Sequence, residues 1–369
     1  MQNRLLSLDV FRGITVMAMI LVNNPGDWGH VYAPLLHAHW HGCTPTDLIF
    51  PFFLFIVGVS ISYALDKAKT QPQNHGAVIQ KVIKRGLTLV ALGLFLSLYP
   101  KFEFATMRIP GVLQRIGLVF IICSVIFLKT NLKTQVFIGL FLLVAYYVLM
   151  SFVPVPGIGP ANLEPETNLG AWIDNSLLNG HLYKRTKVWD PEGLFSTIPA
   201  VATGLLGILA GSLLKSGQSP TAIIRKMCGI GLLCALAGLA LHGVFPINKS
   251  LWTSTYVLFA GGLAMLGLAL CYWSIDIKQW RFWTPPFLYF GVNAIIVFFL
   301  SGIIPRTLFL IQIQDGAETL NAQQWLYKHF FTAWIPDPYV ASLAGAVCFL
   351  VIWFFILRQM YRANIIVKV

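Results

Sequence analysis

Residues 110–152 read PGVLQRIGLVFIICSVIFLKTNLKTQVFIGLFLLVAYYVLMSF. Two apolar runs, 110–128 and 134–152, are separated only by KTNLK at 129–133. At 1.5 Å rise per residue, a run of about 19 residues reaches about 28 Å, which matches the ~30 Å hydrocarbon core of a bilayer. A five-residue polar joint leaves the second run no route except back along the first. The stretch therefore predicts an antiparallel pair of transmembrane helices.

The same pattern recurs along the chain. Runs at 8–24, 47–65, 82–99, 196–214, 227–245, 251–272, 285–304 and 339–357 bring the expected number of spans to about ten. Of the 369 residues, 57% are hydrophobic and only 11% charged, against about 25% charged in soluble domains. Too little polar surface remains to coat a water-soluble globule. The runs are continuous rather than alternating, which excludes a β-barrel. The expected fold class is all-α, a polytopic integral membrane protein forming one transmembrane domain over 1–369. No cleavable signal peptide is read at the start: the first run holds Asp9 and Arg12 and is expected to stay as a helix.

The net charge of +12 would suggest nucleic acid in a soluble protein; here it sets orientation, and no nucleic-acid partner is expected. With the N-terminus inside, 17 of the 26 Lys and Arg residues, Arg4 and Lys368 among them, fall on the cytoplasmic side and 9 on the other. This is a positive-inside bias. Ten spans return the C-terminus to the cytoplasm and put the long loops, near 25–46, 153–195 and 305–338, on the outer face. Cys123, Cys228, Cys234, Cys271 and Cys348 lie in apolar runs and read as small core residues, with Cys43 alone near a polar loop.

The polar residues cluster at the ends of the runs. Asp9 and Arg12 share a helix face at i, i+3; they form an interfacial pair, or Arg12 faces an anionic ligand from the cytoplasm. Asn23 and Asn24 precede Pro25 and Gly26, as a helix cap or as an amide that polarises a carbonyl. In LHAHWHGCTPTD, 36–47, three histidines alternate. A metal site lacks a further ligand cluster, so no metal is expected. A solvated loop, or one histidine serving as general base, remains. Arg108 and Arg115 lie two helical turns apart beside Gln114; Arg115, a turn inside its span, needs a partner or a ligand phosphate. Asp190 and Glu192 beside Trp189 suit a helix N-terminus, or an amino sugar whose hydroxyls and ammonium they would hold. Asn248, Lys249, Trp252 and Tyr256 form a polar aromatic group, and Asn293 is a lone polar residue at depth. A P-loop, a dinucleotide fingerprint and a nucleophile elbow are all absent.

Seven of these segments together resemble the heparan-α-glucosaminide N-acetyltransferase family, in its order: LDVFRGI, HAHWHGCTPTDLIFPFFLFIVG, RIPGVLQRIG, HLY, DPEGL, PINKSLWTSTY and TPPFLYFGVNAI. A wider kinship is with membrane acyltransferases opening on Leu-Asp-x-x-Arg-Gly. The resemblance implies transfer of acetyl from cytoplasmic acetyl-CoA, the donor substrate, to the amine of a terminal glucosamine across the membrane. The family's active histidine, in His-Ala-x-Trp-x-Gly, falls on His37; its usual serine and asparagine at the variable positions are His39 and His41 here. Asn23 aligns with the family's asparagine as donor to the thioester oxygen, and Asp47 is the residue to orient His37. His37 acts as base or carries the acetyl group itself. Arg12, Arg108, Gln114 and Arg115 are the donor-side expectations; Trp40, Asp190, Glu192, Lys249 and Trp252 are those for the acceptor. The family suggests a homodimer, and the length suggests a bacterial inner-membrane relative. A sugar transporter and a non-enzymatic scaffold are the competing classes.

Overall fold

The computed structural model describes residues 5–367; Arg4 and Lys368, counted above for orientation, lie outside them. In chain order the helices are α1 (Leu6–Asn23), α2 (Ile49–Ala64), α3 (Asp66–Lys69), α4 (His75–Leu98), α5 (Val112–Lys129), α6 (Leu132–Phe152) and α7 (Leu169–Leu178). There follow α8 (Thr197–Leu214), α9 (Pro220–Ala240), α10 (Ser254–Cys271), α11 (Pro285–Val292), α12 (Ala294–Leu310), α13 (Ala322–Tyr327) and α14 (Pro338–Arg362). One antiparallel hairpin, β1 (Gln312–Asp315) with β2 (Glu318–Asn321), pairs Ile313 with Leu320.

Every expected span falls on helix. Among the described residues, eight helices are long and apolar enough to cross a membrane, and a ninth if α11 and α12 count as one. The protein is a multi-pass membrane protein. Helix α4 has the length, at 24 residues, but carries Lys81, Lys84 and Arg85 in its first half. The run at 285–304, expected to be one straight span, is bent by 80°. The break sits at Asn293, whose backbone leaves the helical region (φ −114°, ψ 30°). Its side chain donates to Ile365 O (3.1 Å) and accepts from Val367 N–H (3.0 Å). Both groups of that amide are satisfied by the C-terminal segment, which stabilises a break in the helical ladder at depth. Two of the segments expected to be long loops, 153–195 and 305–338, hold α7 and the β1–β2 hairpin.

Close helix crossings organise the bundle. On α2 and α8, a Cβ on Gly58 would lie 1.9 Å from Gly204 O, and one on Gly207 2.0 Å from Phe55 O. Backbone contact without side chains is how membrane helices gain packing where water offers no drive. Helix α1 meets α11 in the same way, with Gly13 against Phe287 O and Gly291 against Asp9 O. That crossing sets Arg12 beside the broken span, where it donates to Gly291 O (3.3 Å), Asp9 Oδ1 (2.9 Å) and Ser60 Oγ (3.0 Å).

Candidate active site

The segment between α1 and α2 is built as a fixed loop. Gly42, at φ +111°, is where a side chain would be strained; its N–H donates to Ile247 O at 2.7 Å and it bridges to Asn248. Trp40 Nε1 donates to Leu163 O (2.9 Å), and its ring meets Trp189 edge-on at 5.2 Å. Thr46 Oγ1 donates back to Pro34 O, and the single Thr44 hydroxyl proton is shared between Leu36 O and the Asp47 carboxylate. Three distant segments, and contacts within the loop itself, thus hold the backbone on which His37 stands.

His37 Nδ1 lies 2.6 Å from Asp47 Oδ1. The Asp47 carboxylate is buried, at 1% exposure. Its Oδ2 accepts from Ala38 N–H (3.0 Å), Thr44 N–H (2.9 Å) and Thr44 Oγ1 (3.1 Å). A carboxylate held by three donors is an acceptor toward the imidazole, which assigns the proton to Nδ1 and leaves the Nε2 lone pair available. The His37 side chain remains half exposed. Nearby, burial and the charge of Asp47 push the Cys43 thiol up to about 12, so it is no thiolate nucleophile at neutral pH. His41 takes another direction, its Nδ1 3.3 Å from Asn248 Nδ2, and His39 is exposed. Among the described residues no three His, Cys, Asp or Glu side chains form a metal-holding group.

Beside His37 stands a buried charge network. Arg108 forks onto Asp190, through Nε to Oδ2 (2.8 Å) and Nη2 to Oδ1 (2.5 Å), and its Nη2 also reaches Glu192 Oε2 (2.5 Å). Lys249 Nζ is 3.8 Å from Glu192 Oε1. Burial alone would raise the Glu192 carboxyl, but Lys249, then Arg108 and Arg115, outweigh it and hold the group well below its ordinary range. Burial likewise opposes the charge on Arg108, and its two carboxylates more than restore it. Asp174 differs: burial pushes it up to about 6, against the Leu194 and Phe195 N–H groups and Arg115.

One cavity of about 300 Å³ joins these groups to the far end of the bundle. His37, Asn23, Thr46, Glu192 and Lys249 line one end; Arg12, Ser60, Ala64, Arg85, Gly291 and Val367 line the other. Along α2 the lining runs from Ile49 to Ala64 on one helix face, fifteen residues or about 22 Å. The middle is apolar, with Phe50, Phe53, Ile56, Val57, Leu113 and Phe120. The Asn23 amide makes no hydrogen bond to other described residues.

The structure thus brings His37, Asn23, Asp47, Glu192 and Lys249 together and sets Arg12 at the opposite end. It differs from the sequence expectation at five positions. Asp190, expected at the acceptor, has no exposed side-chain surface and is taken up by Arg108. Arg108, expected on the donor side, lies with Asp190 and Glu192 because those carboxylates require a counter-ion. Arg115 is fully buried, its Nη2 donating to Gly193 O (2.8 Å) and Ser196 Oγ (2.5 Å) and its guanidinium over Trp252 at 5.0 Å. Gln114 is buried against Gly93 and Gly111. Trp252, expected to face a sugar, has no exposed surface; it packs on Phe50 and Tyr256 and donates to Thr203 Oγ1. Arg85 and Ser60, which do line the cavity, have no individual assignment in the sequence reading: Arg85 is one of the cytoplasmic basic residues that the resemblance sets toward coenzyme A phosphates, and Ser60 is one small residue in an apolar run.

Residues 4–242 match the family described as heparan-alpha-glucosaminide N-acetyltransferase, catalytic. The chain is 30% identical over 352 residues to the mouse (Mus musculus) protein of that name, covering 80% of this chain and 53% of the mouse protein. It is 30% identical over 351 residues to the human (Homo sapiens) one, covering 80% and 52%. The chain spans about half the length of the curated relatives it matches.

Proposed function

The chain belongs to the heparan-alpha-glucosaminide N-acetyltransferase family, and from that premise we propose that it is a membrane-bound N-acetyltransferase. It moves acetyl from cytoplasmic acetyl-CoA to the amine of a glucosamine-type sugar on the opposite face. The observation that carries this reading is the single cavity with the His37–Asp47 pair at one end and Arg12 at the other. The positive-inside balance puts the Arg12 end at the cytoplasm.

In this reading the thioester arm of the donor enters between α1, α2 and α5, and the acceptor amine approaches from the His37 end. The amine nitrogen attacks the thioester carbonyl carbon, a C–N bond forms, and the C–S bond breaks as the sulfur leaves with its electron pair. His37 Nε2 takes the proton from nitrogen and returns it to the departing thiolate. Asp47 keeps Nδ1 protonated and stabilises the imidazolium. The Asn23 amide donates to the carbonyl oxygen as its charge develops, a contribution of about 2.7–4 kcal/mol where such donors have been removed from other enzymes. Glu192 and Lys249 contact acceptor hydroxyls. Because both ends open into one cavity, donor and acceptor meet directly, with no need for an acetyl-histidine stage.

A hydrated sugar path would need polar groups throughout, and the middle of this cavity is apolar, which disfavours the transporter reading. The test is to incubate purified protein with labelled acetyl-CoA and glucosamine and analyse the product by mass spectrometry. Labelled N-acetylglucosamine from the wild type and none from folded His37→Ala supports the proposal. An unmodified sugar from the wild type contradicts it.

A further inference from the structure

Arg85 is a cation that the catalytic scheme above leaves without a task. It lies on α4 at a point where the helix cannot shift relative to α5. A Cβ on Gly86 would sit 2.4 Å from the Ile121 side chain and 2.9 Å from Gly117 O, and one on Gly117 would sit 2.5 Å from Gly86 O. This backbone contact fixes the preceding residue, Arg85, at the cavity wall, with its guanidinium 5.4 Å from the Phe120 ring centroid. Along α5 the lining residues are Val112, Leu113, Ile116 and Phe120. Phe120 is eight residues beyond Val112, about 12 Å along α5, so Arg85 lies toward the Arg12 end of the cavity.

Three cations line the cavity. Arg12 is bonded to Asp9 at 2.9 Å and Lys249 is paired with Glu192 at 3.8 Å. Arg85 has no carboxylate within ion-pair distance among the described residues. Arg85 is an exposed side chain near the start of the expected span at 82–99, and a cavity-lining cation with no carboxylate partner is available to an anionic ligand. A guanidinium with an aromatic ring against one face keeps its N–H edge free, and that edge matches the geometry of a phosphate.

We propose that Arg85 binds a phosphate group at this end of the cavity, contributed by the nucleotide part of the coenzyme A donor. The proposal rests on the acetyl-transfer reading for the identity of the donor. The phosphate of a lipid headgroup has the same chemistry, and the experiment separates the two sources. The full chain in nanodiscs of neutral phosphatidylcholine is titrated with coenzyme A and, separately, with pantetheine, which has the same thiol arm but no phosphate. Arg85→Gln is expected to weaken coenzyme A binding tenfold or more and leave pantetheine binding unchanged, and Arg85→Lys to retain most of the affinity. The proposal is overturned if Arg85→Gln binds coenzyme A as the wild type does. It is equally overturned if both ligands weaken together, or if the variant loses only anionic lipid that co-purifies with the wild type. A wild type that binds neither ligand removes the acetyl-transfer reading itself. Wild-type coenzyme A binding unmoved by the substitution removes only the role of Arg85.

Discussion

Replacing Asp47 by asparagine keeps the shape of the side chain and removes its charge. Three of the four hydrogen bonds that Asp47 accepts converge on Oδ2, and only His37 approaches Oδ1. The asparagine carbonyl therefore takes the three-donor corner, and its NH₂ faces His37 Nδ1. Two donors cannot face each other, so the neutral imidazole must move its proton to Nε2, the atom that the proposed mechanism needs as a base. The equivalent change in a serine-protease triad costs about 10⁴ in kcat. His37 is 52% exposed and has room to turn, so a smaller loss is expected, about 10²–10³, or about 2.7–4 kcal/mol in the barrier. Folding should suffer less, by about 1–2 kcal/mol, because three bonds survive. The assay is the rate of labelled acetyl transfer to glucosamine, with thermal unfolding as the folding control. Transfer within threefold of wild type in a folded Asp47→Asn protein would refute the assignment of Asp47 as the residue that positions His37.

Arg108→Ala leaves the buried carboxylates of Asp190 and Glu192 without their fork and should destabilise the protein by about 3–5 kcal/mol; a loss under about 1 kcal/mol in a thermal-unfolding series would contradict this. Asp174 has its carboxyl raised from 3.8 to about 6, so the stability it contributes is present below its unfolded value and lost as pH rises through about 6. The shift of about two units corresponds to at most about 3 kcal/mol. Asp174→Asn should flatten the unfolding temperature between pH 4 and 7 relative to wild type, and an unchanged pH profile would count against it. Asn293→Ala removes both bonds to the C-terminal segment, so hydrogen–deuterium exchange at the Val367 amide should accelerate; equal exchange in both proteins would show that the break in the span does not hold that segment.

The helices were legible because hydrocarbon demands long apolar runs, and this demand is local: the run at 110–128 became Val112–Lys129 with no information from elsewhere. The bend at Asn293 was not, because the groups that satisfy its amide lie more than 70 residues away. The same distance effect reassigned the arginines. Spacing within one helix relates Arg108 to Arg115, but their partners, Asp190, Glu192, Gly193 and Ser196, come from the segment before α8. The sequence around Trp252 reads as an interfacial aromatic with sugar-binding potential, and no local signal reports that it is enclosed by α2, α8 and α10. Motif resemblance pointed to His37 and Asn23; the surroundings of both, and the cavity linking them to Arg12, depend on packing between helices.

The central claim, that acetyl crosses the bilayer through the cavity between Arg12 and His37, is tested most directly by sidedness. Vesicles carrying the protein in one orientation are given labelled acetyl-CoA on the Arg12 side and glucosamine on the His37 side. The account predicts labelled N-acetylglucosamine on the glucosamine side, none with His37→Ala, and none when both substrates are confined to the wrong faces. Glucosamine that crosses unacetylated, or label transfer that His37→Ala leaves unchanged, would contradict it.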